Sequence, residues 1–354
     1  MTSAASHRPL PSQHNALSEQ LAALGSWQTQ LKNAYRSSSA LLNRLQLPAL
    51  SVGDQQSNQQ ALIAAENEFP VLAPEAFVQR MALGDPNDPL LQQVLAVPDE
   101  ADQIAGFSTD PLGELAANPV PGIIHKYHGR LLLLPTSGCA VNCRYCFRRH
   151  FPYEDNRLDK AKLAAALAYI ATHDDVSEII LSGGDPLLLD DNALHSLVVA
   201  IEANKHVRRL RIHTRLPVVI PARVTPTLLQ TLSQSRLDVV VVLHSNHANE
   251  MDEPLRVACQ SLHRSGITLL NQSVLLKGVN DSVDALVALS EGLFAASVLP
   301  YYLHVLDPVQ GAAHFHLSIT EAQRLHRDVA ARLPGYLVPR LAQEIAGEAA
   351  KRWL

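Results

Sequence analysis

The sequence predicts an α/β fold, a partial (β/α)6 barrel with an N-terminal helical region. Three observations carry that prediction. From Leu131 onward, short apolar runs rich in β-branched residues alternate with amphipathic stretches of helical period. Six such strand and helix units follow one another, too few for a closed eight-stranded barrel. A dense cysteine loop comes directly after the first of them, where a barrel places its chemistry.

Residues 1–110 show mainly helical periodicity, as in Leu17, Leu21 and Leu24 and in Leu41, Leu42 and Leu45, broken by polar and proline-bearing connections. No chemistry is assigned to them. Residues 111–335 are expected to form the barrel, with strands at Leu131–Leu134, Glu178–Leu181, Leu210–His213, Val239–Leu243, Thr268–Leu275 and Val298–Val305, followed by a C-terminal segment over 336–354. The active site is then expected at the C-terminal ends of these strands.

Composition excludes several classes of function. A net charge of -5 with interspersed signs gives no general attraction to nucleic acid, and 47% hydrophobic residues suffice for a large core. With 4 cysteines in 354 residues, a secreted disulfide framework is not expected. The N-terminus has no apolar core of signal-peptide length, and no segment approaches the roughly 18 continuous apolar residues of a membrane span. A soluble, cytoplasmic protein is the expectation.

Cys139, Cys143 and Cys146 stand in C-x3-C-x2-C spacing and offer three soft ligands. A four-iron cluster held by three thiolates keeps one iron open to a small molecule. The competing reading is a structural zinc site completed by His150. A second element, Ser182-Gly183-Gly184-Asp185, ends the second strand, and its glycines allow backbone to approach a ligand closely. Two elements at one barrel face favour a cofactor site over zinc. Cys259, with no partner at metal-binding spacing, reads as a buried residue of a helix.

The cysteine spacing resembles that of the radical S-adenosylmethionine enzymes, which implies a 4Fe-4S cluster on Cys139, Cys143 and Cys146 and S-adenosylmethionine held by Ser182, Gly183, Gly184 and Asp185. The strings His125-Lys126-Tyr127-His128-Gly129-Arg130, Cys146-Phe147-Arg148-Arg149-His150, Asn271-Gln272-Ser273-Val274 and Val279-Asn280-Asp281 narrow the resemblance to the lysine 2,3-aminomutase family, over about Pro111 to the C-terminus. Within it, Phe107-Ser108-Thr109-Asp110-Pro111-Leu112 and Tyr301-Tyr302-Leu303-His304 resemble the branch that makes (R)-β-lysine for modification of elongation factor P.

That resemblance implies pyridoxal phosphate as a further cofactor, with Lys351 as its Schiff-base lysine and Lys126 and Arg130 on its phosphate. It places Arg148 on the substrate carboxylate, and Asp281 and Glu344 on the distal ammonium of L-lysine. Glu344 departs from the aspartate of the family pattern, and Ala349-Ala350 replace its glycine- and proline-containing approach to the lysine. His244 and Gln272, and similarly Arg215, are candidate cofactor contacts, and Trp353 a candidate anchor for the tail. The implied partners are L-lysine, a low-potential electron donor and an elongation factor P ligase that uses the product; a small homo-oligomer is expected, with no nucleic acid and no membrane. The alternatives are an aminomutase for glutamate or arginine, or a non-catalytic zinc-stabilised binding protein.

Overall fold

Each of the six expected strand segments forms a parallel strand, and a seventh follows. The computed structural model describes residues 24–48 and 55–354; Leu17 and Leu21 lie outside them. The strands are β2 (Arg130–Thr136), β3 (Glu178–Gly183), β4 (Arg209–Thr214), β5 (Asp238–His244), β6 (Thr268–Val274), β7 (Leu299–His304) and β8 (Arg340–Gln343). Each pairs in parallel with the next. Antiparallel strands flank them at the two edges: β1 (Ile123–Tyr127) beside β2, and β9 (Arg352–Trp353) beside β8. The order runs from β1 to β9 without closing, so the barrel is partial.

Six crossover helices join the parallel strands: Lys160–Ala171, Asp191–Glu202, Pro226–Ser233, Glu253–Arg264, Val283–Ala295 and Ile319–Ala330. Each starts where a short polar side chain accepts from a backbone N–H three residues on. The capping residues are Asp159, Asp190, Thr225, Asp252, Ser282 and Ser318. Such a cap is worth about 1 kcal/mol and fixes where the chain turns back along the sheet.

Side chains alternate between the two faces of a strand, and the register lines like up with like. Leu131, Ile179, Leu210 and Val239 are successive partners across β2 to β5, as are Leu133, Leu181, Ile212 and Val241. These buried residues pack with Ile170, Leu194, Val198 and Leu232 of the crossover helices in one hydrophobic cluster. The intervening positions are polar in several strands, including Arg211 and His213 of β4, Gln272 of β6 and His304 of β7. An apolar outside and a polar inside leave the barrel interior for chemistry.

Among the described residues, the helical region before residue 110 has no separate core. Trp27, Leu41, Leu45, Phe77, Leu90 and Leu91 belong to the same cluster as the strands. Among the described residues no helix is long and apolar enough to cross a membrane.

Candidate active site

The C-terminal ends of the strands bring the expected residues together around two centres, one of sulfur and one of charge. Cys139, Cys143 and Cys146 lie half-buried on the loop after β2, all as free thiols. Burial, then the neighbouring Cys146, pushes the Cys139 thiol well up, and burial with Cys143 beside it pushes Cys146 to about 11. Thiols that resist ionisation, as Cys139 and Cys146 do, gain most from a cation that would stabilise the thiolates. The donor set therefore suits a metal centre.

The fourth ligand that a zinc site would need, His150, does not join the three thiols. Among the described residues no three His, Cys, Asp or Glu side chains converge closely enough to hold one metal. His150 is turned elsewhere, with Nε2 3.2 Å from Gln310 O and Nδ1 3.5 Å from Glu68. His150 therefore does not complete a Cys3His site with Cys139, Cys143 and Cys146. Cationic side chains surround the loop: Arg215 donates to Cys143 Sγ at 2.7 Å, while Arg144 and Arg149 pin the loop through a fully buried Glu100. Sequence reading left Glu100 out because its partners lie more than forty positions away.

The second element packs against the first as its glycines require. Gly184 N donates to Thr136 O at 3.1 Å and Asp185 N to Gly138 O at 2.7 Å. A Cβ on Gly184 would lie 2.1 Å from Gly138 O, and Gly183 sits at φ +106°. Only glycine permits this approach. Asp185, expected to face the cofactor, is instead spent on the backbone. Its Oδ1 accepts from Thr214 Oγ1 at 2.6 Å and Leu187 N at 3.1 Å, and its Oδ2 accepts from Arg215 N at 2.7 Å and Leu216 N at 2.8 Å. Four donors leave it a positioning residue that locks β3 to β4. Of the other candidates, His244 stacks on Tyr145 with Nε2 2.8 Å from its hydroxyl, and burial, then Arg215, keeps its pKa well down. Gln272 makes no side-chain hydrogen bond among the described residues.

A continuous chain of opposite charges forms the second centre. Arg148 donates through Nε and Nη2 to Glu114, at 2.6 and 2.8 Å, and through Nη1 to Ser182 Oγ at 3.0 Å. Glu114 lies 3.3 Å from Lys126 Nζ, which donates to Glu344 Oε1 at 2.9 Å. Glu344 Oε2 in turn accepts from Lys351 Nζ. Burial alone would raise the Glu344 carboxyl, but Lys351 and Lys126 beside it bring it down to about 2. Arg130 stacks over Tyr127 at 4.5 Å and has no ion pair among the described residues.

Two expectations change here. Arg148 does not present a free fork, because Glu114 occupies one edge of it. Asp281 is exposed, and its Oδ2 accepts from Gly278 N at 3.1 Å in a turn outside the chain of charges. A buried acid that does adjoin this chain of charges is Asp307. It follows β7, and burial, then the Glu344 carboxylate, raises its pKa to about 7 despite Lys351 and Lys126 nearby. Its position at the end of a recognised strand was the signal that could have found it. Trp353 anchors the tail by stacking on Tyr302 at 5.6 Å between ring centroids, while remaining half exposed.

The sequence profile of the Radical SAM superfamily matches residues 133–289, from β2 into the fifth crossover helix. L-lysine 2,3-aminomutase of Escherichia coli (strain K12) is 50% identical over 328 residues, covering 92% of this chain and 93% of that one. The chain belongs to the lysine 2,3-aminomutase family. The proteins of that name from Haemophilus influenzae (strain ATCC 51907 / DSM 11121 / KW20 / Rd) and Clostridium subterminale are 49% and 37% identical, covering 91% and 75% of this chain and 93% and 64% of their own. Membership in this radical S-adenosylmethionine family makes the chain an isomerase and implies a 4Fe-4S cluster and S-adenosylmethionine. The three thiols, their arginine surroundings and the paired glycine backbones fit both groups.

Proposed function

We propose that this family member is a pyridoxal phosphate-dependent lysine 2,3-aminomutase that converts L-lysine to (R)-β-lysine. The observation that carries the reading is the chain of charges from Arg148 through Glu114, Lys126 and Glu344 to Lys351, with Asp307 beside it. A carboxylate receptor at one end and an acidic pair with an amine at the other would match the two ends that L-lysine presents.

The residues divide the work by chemistry. Lys351 would hold the carbonyl carbon of pyridoxal phosphate, and Lys126 with the unpaired Arg130 its phosphate. Bound there, the cofactors supply a π-system through which nitrogen can pass between adjacent carbons and a radical able to take an unactivated hydrogen. Arg148 orients the substrate carboxylate with the edge that Glu114 leaves open, and Ser182 steadies that edge. Glu344, once Lys351 is committed to a cofactor, has an acceptor oxygen for the distal ammonium. Asp307, near its midpoint at neutral pH, can ionise to match it. His304, driven to about 3 by burial and by Lys351, stays neutral and adds no competing charge.

Acidic groups at the far end favour lysine over glutamate, whose distal carboxylate they would repel. The product's use by an elongation factor P ligase is part of this proposal and rests on the likeness of residues 107–112 and 301–304 to that branch. The test is anaerobic reconstitution of the chain with iron, sulfide, pyridoxal phosphate and S-adenosylmethionine, followed by chiral analysis of products from L-lysine. (R)-β-lysine is expected. Turnover of glutamate or arginine in preference to lysine would overturn the substrate assignment.

A further inference from the structure

The helical region before residue 110 supplies buried contacts that reach one of the three cysteines. The Arg215 guanidinium, at the end of β4, is 6% exposed. Its Nη1 donates to Cys143 Sγ at 2.7 Å and to the Tyr145 hydroxyl. Its Nη2 donates to Gln93 Oε1 at 2.7 Å and to Glu250 Oε2 at 3.3 Å. Gln93 is fully buried, and its Nε2 donates to Glu250 Oε1 at 3.2 Å and to Pro89 O at 3.0 Å. One amide therefore holds both members of the Arg215 and Glu250 ion pair.

The rest of the shell is equally determined. Asn246 Nδ2 donates to Gln93 Oε1 at 3.0 Å and to the Tyr145 hydroxyl at 2.7 Å. Glu250 Oε1 accepts from Asn246 N at 2.9 Å and His247 N at 3.1 Å. The backbone carbonyl of Gln93 accepts from Arg144 N at 2.9 Å, next to Cys143 itself. Arg215 is left with one buried donor, Nε, that has no hydrogen-bond partner among the described residues.

We infer that Gln93 and Glu250 are positioning residues that aim Arg215 at the Cys143 sulfur, so that the N-terminal region raises the reduction potential of the iron-sulfur centre. The inference rests on the reading of the three cysteines as cluster ligands. Its physics is that of the surroundings of any thiolate-bound metal. A donor on the sulfur draws electron density from the iron, and reduction adds a negative charge that the guanidinium stabilises. In a dry pocket the effect of the contacting charge is large, and Glu250 takes Nη2 while Nη1 stays on the sulfur.

The experiment uses the full chain, reconstituted anaerobically, as wild type, Gln93→Leu, Arg215→Lys and the charge-balanced Arg215→Met/Glu250→Gln double variant. Iron and sulfide are counted, and the midpoint potential is measured by titration followed by electron paramagnetic resonance. We expect about four irons per chain in each. The potential should shift to more negative values in the double variant, in the same direction by less in Gln93→Leu, and least in Arg215→Lys, which keeps the charge. Identical potentials in all four fully loaded proteins would overturn the inference. A wild-type chain that binds no four-iron centre overturns the reading beneath it instead. Loss of iron from Gln93→Leu leaves the decision to the potentials of the other two variants, because Gln93 also bonds Tyr145 in the cysteine loop. Should Gln93→Leu fail to fold, the Arg215→Lys and double-variant potentials decide.

Discussion

Glu344 and Lys126 meet across the open edge of the barrel, Oε1 to Nζ at 2.9 Å, joining the segment after β8 to the edge strand β1. No backbone hydrogen bonds connect β1 to β9, so this ion pair, continued to Lys351, spans the gap that the sheet leaves. Both partners are largely buried.

Glu344→Gln should therefore cost stability as well as function. It leaves two ammonium groups without their shared partner, and breaking a buried pair from one side costs about 3 kcal/mol. Urea unfolding of the apo protein at pH 7 measures it. A loss below about 0.5 kcal/mol would show that the pair is solvated and that the edge is held otherwise.

Asp307 and Asp281 are separated by their environments. Asp307→Asn should lower kcat/KM for L-lysine by about 100-fold, about 2.7 kcal/mol of lost transition-state stabilisation, whereas Asp281→Asn should stay within about twofold. Steady-state kinetics of the two reconstituted variants decides between them. A reversed order would return the ammonium site to Asp281.

Asp307 also sets a pH dependence of stability. Its folded pKa, raised by burial and then by Glu344 to about 7, lies above its ordinary value, so the folded chain holds a proton that the unfolded chain releases. The stability this contributes is fully present below about pH 4 and is lost as pH rises to about 7. Between pH 5 and pH 8, wild type should thus lose about 2–3 kcal/mol relative to Asp307→Asn. Denaturant melts of both proteins across that range provide the measurement, and parallel curves would contradict the buried, proton-retaining acid.

Gly184→Ala tests the contact between the two loops. The added methyl meets backbone, Gly138 O at 2.1 Å, so no side chain can swing aside. We expect about 2–3 kcal/mol of destabilisation and at least about tenfold weaker S-adenosylmethionine binding to the reconstituted protein. Calorimetric titration and thermal melting of wild type and variant supply both numbers.

Local pattern made much of the architecture legible. Apolar runs of strand length and Ser, Thr or Asp caps three residues ahead of their bonding partners are short-range features, and each of the six expected strands is present. The cysteine loop and the Gly183-Gly184 turn were legible for the same reason, since their spacing is itself the chemistry. Strand β8 was not, because Arg340-Leu341-Ala342-Gln343 is too short to show a period, and it forms only where β7 offers an edge.

The sequence by itself determined the partial barrel, the triad of thiols and, through family resemblance, the identity of Lys351, Lys126 and Arg148 as candidate contacts. Only the tertiary structure decided what those groups touch. It showed Glu114 on Arg148, Asp281 apart from the chain of charges that Asp307 adjoins, Asp185 held by Thr214 and three backbone donors, and Gln93 behind Cys143 through Arg215. Several of the decisive partners lie far apart in the chain: 34 positions for Arg148 and Glu114, 122 for Gln93 and Arg215, and 218 for Lys126 and Glu344. Charge and hydrogen bonding act over a few ångströms, and chain folding alone sets which distant residues come within that reach.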